Sequence, residues 1–225
     1  MVVSVLATVV AVIALSPNPE LIDKELIIRI YSNSYLATVI TATSIAAGVA
    51  VLALAIRLSR LGMRNYLGLI MPWRRELTIG FGTLASMYVT FGLADTFIWH
   101  DQSFFLDSYQ YALANGQLTL FAVSIIVVAP LGEEFLFRGF MLRGWAASRL
   151  GPMWAIVLTA ATWASIHVQY NAHTIAYIFC IGLLLGWLRQ RSGSTPLTVL
   201  LHAAQNVTVF IHAAIYLWLS AGIAA

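Results

Sequence analysis

The stretch Pro130-Leu-Gly-Glu133-Glu134-Phe-Leu-Phe-Arg138-Gly-Phe, inside the apolar run 118–142, decides how this chain can fold. Two adjacent carboxylates stand there among side chains that otherwise belong in lipid, where an ionisable group costs about 2.5–3.5 kcal/mol on insertion scales. On a helix, Glu134 and Arg138 lie on one face in the favourable acid-before-base order. Glu133 lies about 100° round the same helix and cannot share that ion pair equally. One carboxylate is therefore neutralised within the helix, and Glu133 is left as the candidate for chemistry.

The composition excludes an ordinary soluble domain. Hydrophobic residues make up 60% of the 225-residue chain and charged residues only 9%, whereas soluble domains are about 45–50% apolar and about 25% charged. The net charge of +3 lies in loops between apolar runs, which fits the positive-inside bias of membrane proteins better than a nucleic-acid surface. Cys180 is the one cysteine, so a disulfide within the chain is excluded, and we expect this residue to be a small buried hydrophobe.

Apolar runs of helical length predict an all-α, polytopic transmembrane bundle of about seven spans. The predicted spans are residues 1–15, 35–56, 77–99, 118–142, 153–167, 175–188 and 197–220. In this order the Arg-rich connections 57–75 and 189–191 fall on one side of the membrane, which predicts that they are cytoplasmic. The acidic connection 100–117 falls on the outer side. No repeat or linker divides the chain, which we interpret as a single membrane domain over residues 1–225.

Further polar side chains fall inside the later spans in two spaced pairs. Trp163-Ala-Ser-Ile-His167 places an aromatic ring and a histidine four residues apart, on one helix face. His202-Ala-Ala-Gln-Asn206 does the same with a histidine and an amide. Each pair is thus aimed at one neighbouring helix, which favours a shared site with Glu133. A polar network that only holds helices together is the alternative interpretation.

These motifs, Glu-Glu-x-x-x-Arg, aromatic-x-x-x-His and His-x-x-x-Asn on successive spans, resemble those of the CPBP family. This is the CAAX protease and bacteriocin-processing group, also called the Abi family, which includes the type II CAAX prenyl endopeptidases. The resemblance covers roughly residues 66–209. Trp163 stands where Phe is commoner in the family, so an aromatic ring is kept. The prenyl endopeptidases usually have one span more than is predicted here, which leaves the substrate subgroup open.

The resemblance implies a hydrolase: an intramembrane glutamate endopeptidase that needs no metal or other cofactor. Its substrate would be a membrane-associated peptide or protein, cut within the lipid bilayer of a prokaryotic inner or plasma membrane. Glu133 would be the general base that activates a water molecule, assisted by His167. His202 and Asn206 would donate hydrogen bonds to the oxyanion of the tetrahedral intermediate. The supporting residues would be Glu134, Arg138 and Trp163.

Three alternatives remain open from the sequence. A zinc site could use Glu133, Glu134, His167 and His202 as ligands, although the chain has no His-Glu-x-x-His helix. A bacteriocin-immunity or scaffold protein of the same fold would bind a partner with little turnover, and it would have little use for both Glu133 and His202. A proton-coupled transporter would also explain buried Glu and His, but it predicts inverted repeats, and the sequence has no internal symmetry.

Overall fold

A computed structural model describes residues 62–94 and 104–223, together with isolated positions between 48 and 58. The chain divides into two compact units, Met1–Arg60 and Leu61–Ala225. The second unit contains every candidate site residue. The described part of the chain is helical, and it contains no strand. Apart from the isolated positions, the predicted spans 1–15 and 35–56 lie outside the described residues.

Helices account for nearly all of the second unit. In chain order they are α1 (Met63–Leu67), α2 (Arg74–Ala94), α3 (Phe104–Ala114), α4 (Leu118–Ala146), α5 (Gly151–Ser165), α6 (Ala172–Ser192) and α7 (Thr195–Ile223). Among the described residues, α2, α4, α6 and the Thr195–Ser220 part of α7 are long and apolar enough to cross a membrane. With 15 residues, α5 is about 22 Å long, shorter than a hydrocarbon core of about 30 Å. The chain is thus a multi-pass helical membrane protein, and the count of about seven spans is not confirmed.

The acidic connection 100–117 contains a helix, α3, whose buried Tyr109 packs edge-on against Phe210 of α7 with ring centroids 4.9 Å apart. Two sequence-based expectations need correction. The predicted span 153–167 ends as a helix at Ser165, so His167 lies beyond the end of α5. Cys180 is exposed on α6, since in a membrane span lipid solvates an outward-facing apolar side chain as well as protein does.

Close packing of α5 on α6 brings the site residues of α5 towards the bundle interior. A Cβ added at Gly182 would lie 2.9 Å from Ala160 Cβ, and one at Gly186 would lie 3.1 Å from Ile156 Cγ2. Small residues therefore allow the two backbones to approach closely. The carbonyl of Gly182 also accepts a hydrogen bond from Arg138 Nη2 at 3.4 Å, which joins α4 to the same contact.

The turn after α1 is held by groups from three later helices. Gly68 has φ of 65°, and a side chain there would overlap the Arg189 guanidinium as well as being strained. Its carbonyl accepts a hydrogen bond from Thr195 N at 3.0 Å. Arg143 Nη1 donates to Tyr66 O at 2.9 Å. Arg189 Nε, at the end of α6, donates to Thr195 Oγ1 at 2.9 Å. Together these bonds connect the start of α7 with the ends of α4 and α6, and so fix the relative heights of the helices that carry the site.

Candidate active site

Helix α4 changes its hydrogen-bond register twice around the two glutamates. Ser124–Val128 and Phe135–Met141 form π-turns on either side of the α-helical segment Ala129–Glu134. A π-turn adds a residue to one turn of the helix and is frequent at functional sites. Glu133 and Glu134 both lie at the end of the α-helical segment and are 8% and 0% exposed. Both carboxylates therefore need partners from within the protein.

Glu134 is held by two donors. Arg138 Nη1 donates to Glu134 Oε1 at 2.7 Å, the pair that the four-residue spacing predicts. His202 Nδ1 lies 3.0 Å from the same oxygen, so this carboxylate connects α4 to α7. The Arg138 guanidinium carbon also lies 4.4 Å from the centroid of the Trp163 ring, within cation–π range. Glu134, Arg138 and His202 thus form one buried charged cluster.

Glu133 has a different partner. The indole Nε1 of Trp163 donates to Glu133 Oε2 at 2.6 Å, and Trp163 is only 3% exposed. The same ring meets His167 and His202 edge-on, with ring centroids 5.3 Å and 5.2 Å apart. Trp163 therefore stands between the Glu133 carboxylate and the charged cluster and touches both histidines. The sequence predicted an aromatic ring here but not its hydrogen bond.

The ring orientation of His167 follows from the end of α5. His167 N donates to Ala164 O at 3.0 Å, which leaves the Trp163 carbonyl without its usual helical donor. His167 Nδ1 lies 2.8 Å from that carbonyl. Because a carbonyl only accepts, Nδ1 carries the proton, and the neutral ring has its lone pair on Nε2. His167 can therefore accept a hydrogen bond from water through Nε2, although it does not lie on the helix that was predicted for it.

Tyr170 is a site residue that the sequence did not reveal. Its ring lies 6.2 Å from that of His167 in a stacked arrangement and 5.9 Å from Phe104, edge-on. Burial, and to a smaller extent the Glu133 carboxylate, raises the pKa of Tyr170 to about 12. The phenol consequently keeps its proton near neutral pH and can donate a hydrogen bond. The sequence feature that could have indicated Tyr170 was its position three residues after His167, in a short polar link.

Asn206 contacts the first π-turn of α4. Ala129 N donates to Ser124 O in the π register, so the next donor in that register would be residue 130. Pro130 has no N–H, and the Ile125 carbonyl is thereby left for another donor. Asn206 Nδ2 donates to it at 2.6 Å. An amide has two N–H donors, so this bond fixes the side chain and leaves it a second donor.

The predicted site residues therefore meet around α4. Hydrogen bonds and ring contacts join six of them into one network: Glu133, Glu134, Arg138, Trp163, His167 and His202. The seventh, Asn206, lies one turn beyond His202 on α7 and bonds to the backbone of α4 instead of to this network.

The zinc alternative finds no ligand set in the part of the chain that the structure describes. No three His, Cys, Asp or Glu side chains converge there in a way that could hold a metal ion. Of the four ligands considered, Glu134 and His202 bond to each other, and Glu133 bonds to an indole N–H. That no cofactor takes part in the reaction stays a prediction.

A comparison with known protein families covers the same region. Residues 115–208 match the family model of type II CAAX prenyl endopeptidase Rce1-like proteins. A protein of Escherichia coli described as an uncharacterized 24.3 kDa protein is 40% identical over 82 residues, which are 36% of this chain and 38% of that protein. This chain thus spans well under half the length of that relative. No solved structure matches the chain.

The family match contains every candidate site residue, from Glu133 to Asn206. It begins at residue 115, so residues 66–114 of the predicted family core lie outside it. The recognition made from the three motifs is confirmed to this extent: residues 115–208 match the Rce1-like family model, which is consistent with the CAAX protease group.

Proposed function

We propose that this protein is an intramembrane glutamate endopeptidase of a prokaryotic inner or plasma membrane. It hydrolyses a peptide bond of a membrane-associated or membrane-proximal substrate with water activated by Glu133. One observation carries the proposal: of two adjacent buried carboxylates, Glu134 is bound by Arg138 and His202, whereas Glu133 accepts from the neutral Trp163. The Rce1-like family match supports a protease of the CAAX type.

In the proposed mechanism, Glu133 and His167 act on one water molecule. Glu133 Oε2 is occupied by Trp163, so Oε1 is the oxygen that takes a proton from water. The lone pair on His167 Nε2 accepts the other water proton as a hydrogen bond and aims the oxygen at the substrate carbonyl carbon. As the new C–O bond forms, the carbonyl oxygen becomes an oxyanion. Glu133 then passes its proton to the leaving nitrogen, the C–N bond breaks, and a carboxyl and an amine are released.

The oxyanion would be stabilised by His202 and Asn206. With its Nδ1 proton directed at Glu134, His202 can also donate from Nε2 only when both ring nitrogens carry protons. Glu134 would balance the charge of that imidazolium, which gives the second carboxylate a role that is electrostatic and not basic. Asn206, fixed by Ile125 O, would offer its second N–H. Each such donor typically contributes about 10²–10³ to kcat.

Cleavage of membrane-anchored peptides by the purified protein in liposomes tests this function. The probes are two internally quenched peptides with a CAAX-type C-terminus, one farnesylated and one held by a hydrophobic anchor. We expect the wild type to cleave at least one of them and Glu133→Gln to lose cleavage, while the control Glu76→Gln on α2 keeps it. Cleavage of neither probe by folded wild type would favour the immunity or scaffold alternative. Equal cleavage by Glu133→Gln would contradict the mechanism.

A further inference from the structure

Trp163 contributes a neutral hydrogen-bond donor, the indole N–H, that few other side chains could supply at its position. Its indole N–H points at a buried carboxylate, with Nε1 2.6 Å from Glu133 Oε2. Trp is a donor only, and the indole stays neutral, so it can hold the carboxylate without giving it a proton. A Phe ring, the commoner residue in the family that this chain resembles, would fill part of the same space but would donate nothing.

The groups around Glu133 make this donor significant. Glu134 neutralises Arg138 on the same helix, so that cation is not left over for Glu133. The other titratable or charged groups near the site come from α4, the link after α5, and α7: Glu134, Arg138, His167, Tyr170 and His202. Among the described residues, Trp163 is the one that donates a hydrogen bond to the Glu133 side chain.

We propose that Trp163 is a positioning residue, whose indole N–H fixes Glu133 Oε2 so that Oε1 faces the reacting water as an ionised base. This proposal rests on the proposed function and adds to it the group that orients the general base. The consequence is geometric: the bond gives the Glu133 carboxylate one defined rotamer, with Oε2 held by the indole and Oε1 left for the water.

The activity test compares Trp163→Phe with a matched control, Trp154→Phe. Trp154 is on the same helix, α5, but is exposed on its outer side. With the two quenched peptides in liposomes, we expect Trp163→Phe to lower kcat at pH 7 about 10- to 100-fold, the range for a hydrogen bond to a charged group. KM should change less than twofold.

A second variant separates the N–H from the size of the ring. A tryptophan analogue with sulfur in place of the indole N–H, introduced at position 163 alone, keeps the shape and removes the donor. It should reproduce the kcat loss of Trp163→Phe at nearly constant KM, while its thermal unfolding stays that of wild type. Wild-type kcat in the analogue would overturn the proposal.

A measurement that needs no substrate distinguishes failure of this proposal from failure of the proposed function. In a ¹⁵N-tryptophan spectrum of the protein in detergent, the indole resonance absent from Trp163→Phe identifies Trp163. Glu133→Gln should move that resonance, because the charged acceptor is replaced by a neutral amide, and should leave the Trp154 resonance in place. A Trp163 resonance unaffected by Glu133→Gln would overturn the proposal even if the peptides are cleaved. A shifted resonance without any cleavage would support the contact and contradict the peptidase.

Discussion

The two glutamates of α4 lie in different surroundings, although they are adjacent along the chain. Glu134 is fully buried and accepts from two groups that can carry positive charge, Arg138 and His202. Glu133 is turned towards α5 and accepts from a neutral indole. A carboxylate paired with cations serves as their counter-ion, whereas a carboxylate that accepts from a neutral donor is not engaged in an ion pair. The same side chain can thus serve as a structural counter-ion at one position and as a base at the next.

The largest expected effect comes from removing the cation that is paired with Glu134. Arg138→Met leaves Glu134 buried without its closest cation, and breaking a buried pair by removing one partner costs about 3–5 kcal/mol. We expect that loss in the free energy of unfolding, measured by SDS-induced unfolding in mixed micelles. The control is Arg191→Met, since Arg191 lies 3.8 Å from Glu76 and is partly exposed, where a pair is worth about 0–1 kcal/mol. Equal losses in both variants would contradict the account of the charged cluster.

The next effect concerns the oxyanion and also tests the zinc alternative. Asn206→Ala should lower kcat about 10²–10³-fold at nearly constant KM, because the amide donates only as charge develops on the carbonyl oxygen. Activity of the wild type should survive prolonged treatment with a chelator. Thr208→Ala, at an exposed position two residues further along α7, serves as the control. Stoichiometric zinc, with activity lost on its removal and restored on its return, would contradict the scheme.

A smaller effect is expected from Pro130→Ala. The new N–H at position 130 can bond to a carbonyl in the first π-turn of α4 and so compete with Asn206 for Ile125 O. We expect kcat to fall about tenfold, which is less than the loss expected for Asn206→Ala. The stability should not fall, because Pro is unfavourable in a helix interior. Pro152→Ala at the start of α5 is the matched control. Unchanged kcat in Pro130→Ala would show that the proline does not position the amide.

The smallest effect should come from the other histidine of α7. His212 Nδ1 lies 2.9 Å from Tyr88 Oη on α2, at an exposed position, in contrast to His202 beside a buried carboxylate. Tyr88→Phe should cost about 0.6 kcal/mol, the average for a hydrogen bond between membrane helices, and should leave kcat unchanged. A kcat loss of tenfold or more would link this pair to the site and remove the contrast between the two histidines.

Local spacing predicted the part of the site that lies within single helices. The pair of Glu134 with Arg138 follows from four residues on one helix face, and the structure contains it. The length and apolarity of the later runs likewise predicted α4, α6 and α7 to within a few residues. The end of α5 was missed because Ile166, His167 and Val168 continue the apolar pattern without a Gly or Pro to mark the helix end.

Features that depend on tertiary contact or on backbone register could not be obtained in this way. The bond of Trp163 to Glu133 joins residues 30 positions apart, and aromatic spacing alone does not reveal which way the indole N–H points. The π-turns of α4 are shifts of hydrogen-bond register that leave the apolar pattern unbroken. Pro130 was a readable signal, since a proline in a helix always frees a carbonyl, and here that carbonyl is the one that holds Asn206.

The measurement that tests the central claim most directly is a paired comparison of Glu133→Gln and Glu134→Gln. For each variant, kcat on the quenched peptides in liposomes and the free energy of unfolding in mixed micelles are determined in parallel. We predict that Glu133→Gln loses about 10²–10⁴-fold in kcat, as expected for a general base, with stability close to wild type. Glu134→Gln should lose stability and keep residual turnover. The reverse pattern, with turnover kept in Glu133→Gln and abolished in a stable Glu134→Gln, would contradict the division of roles between the two carboxylates.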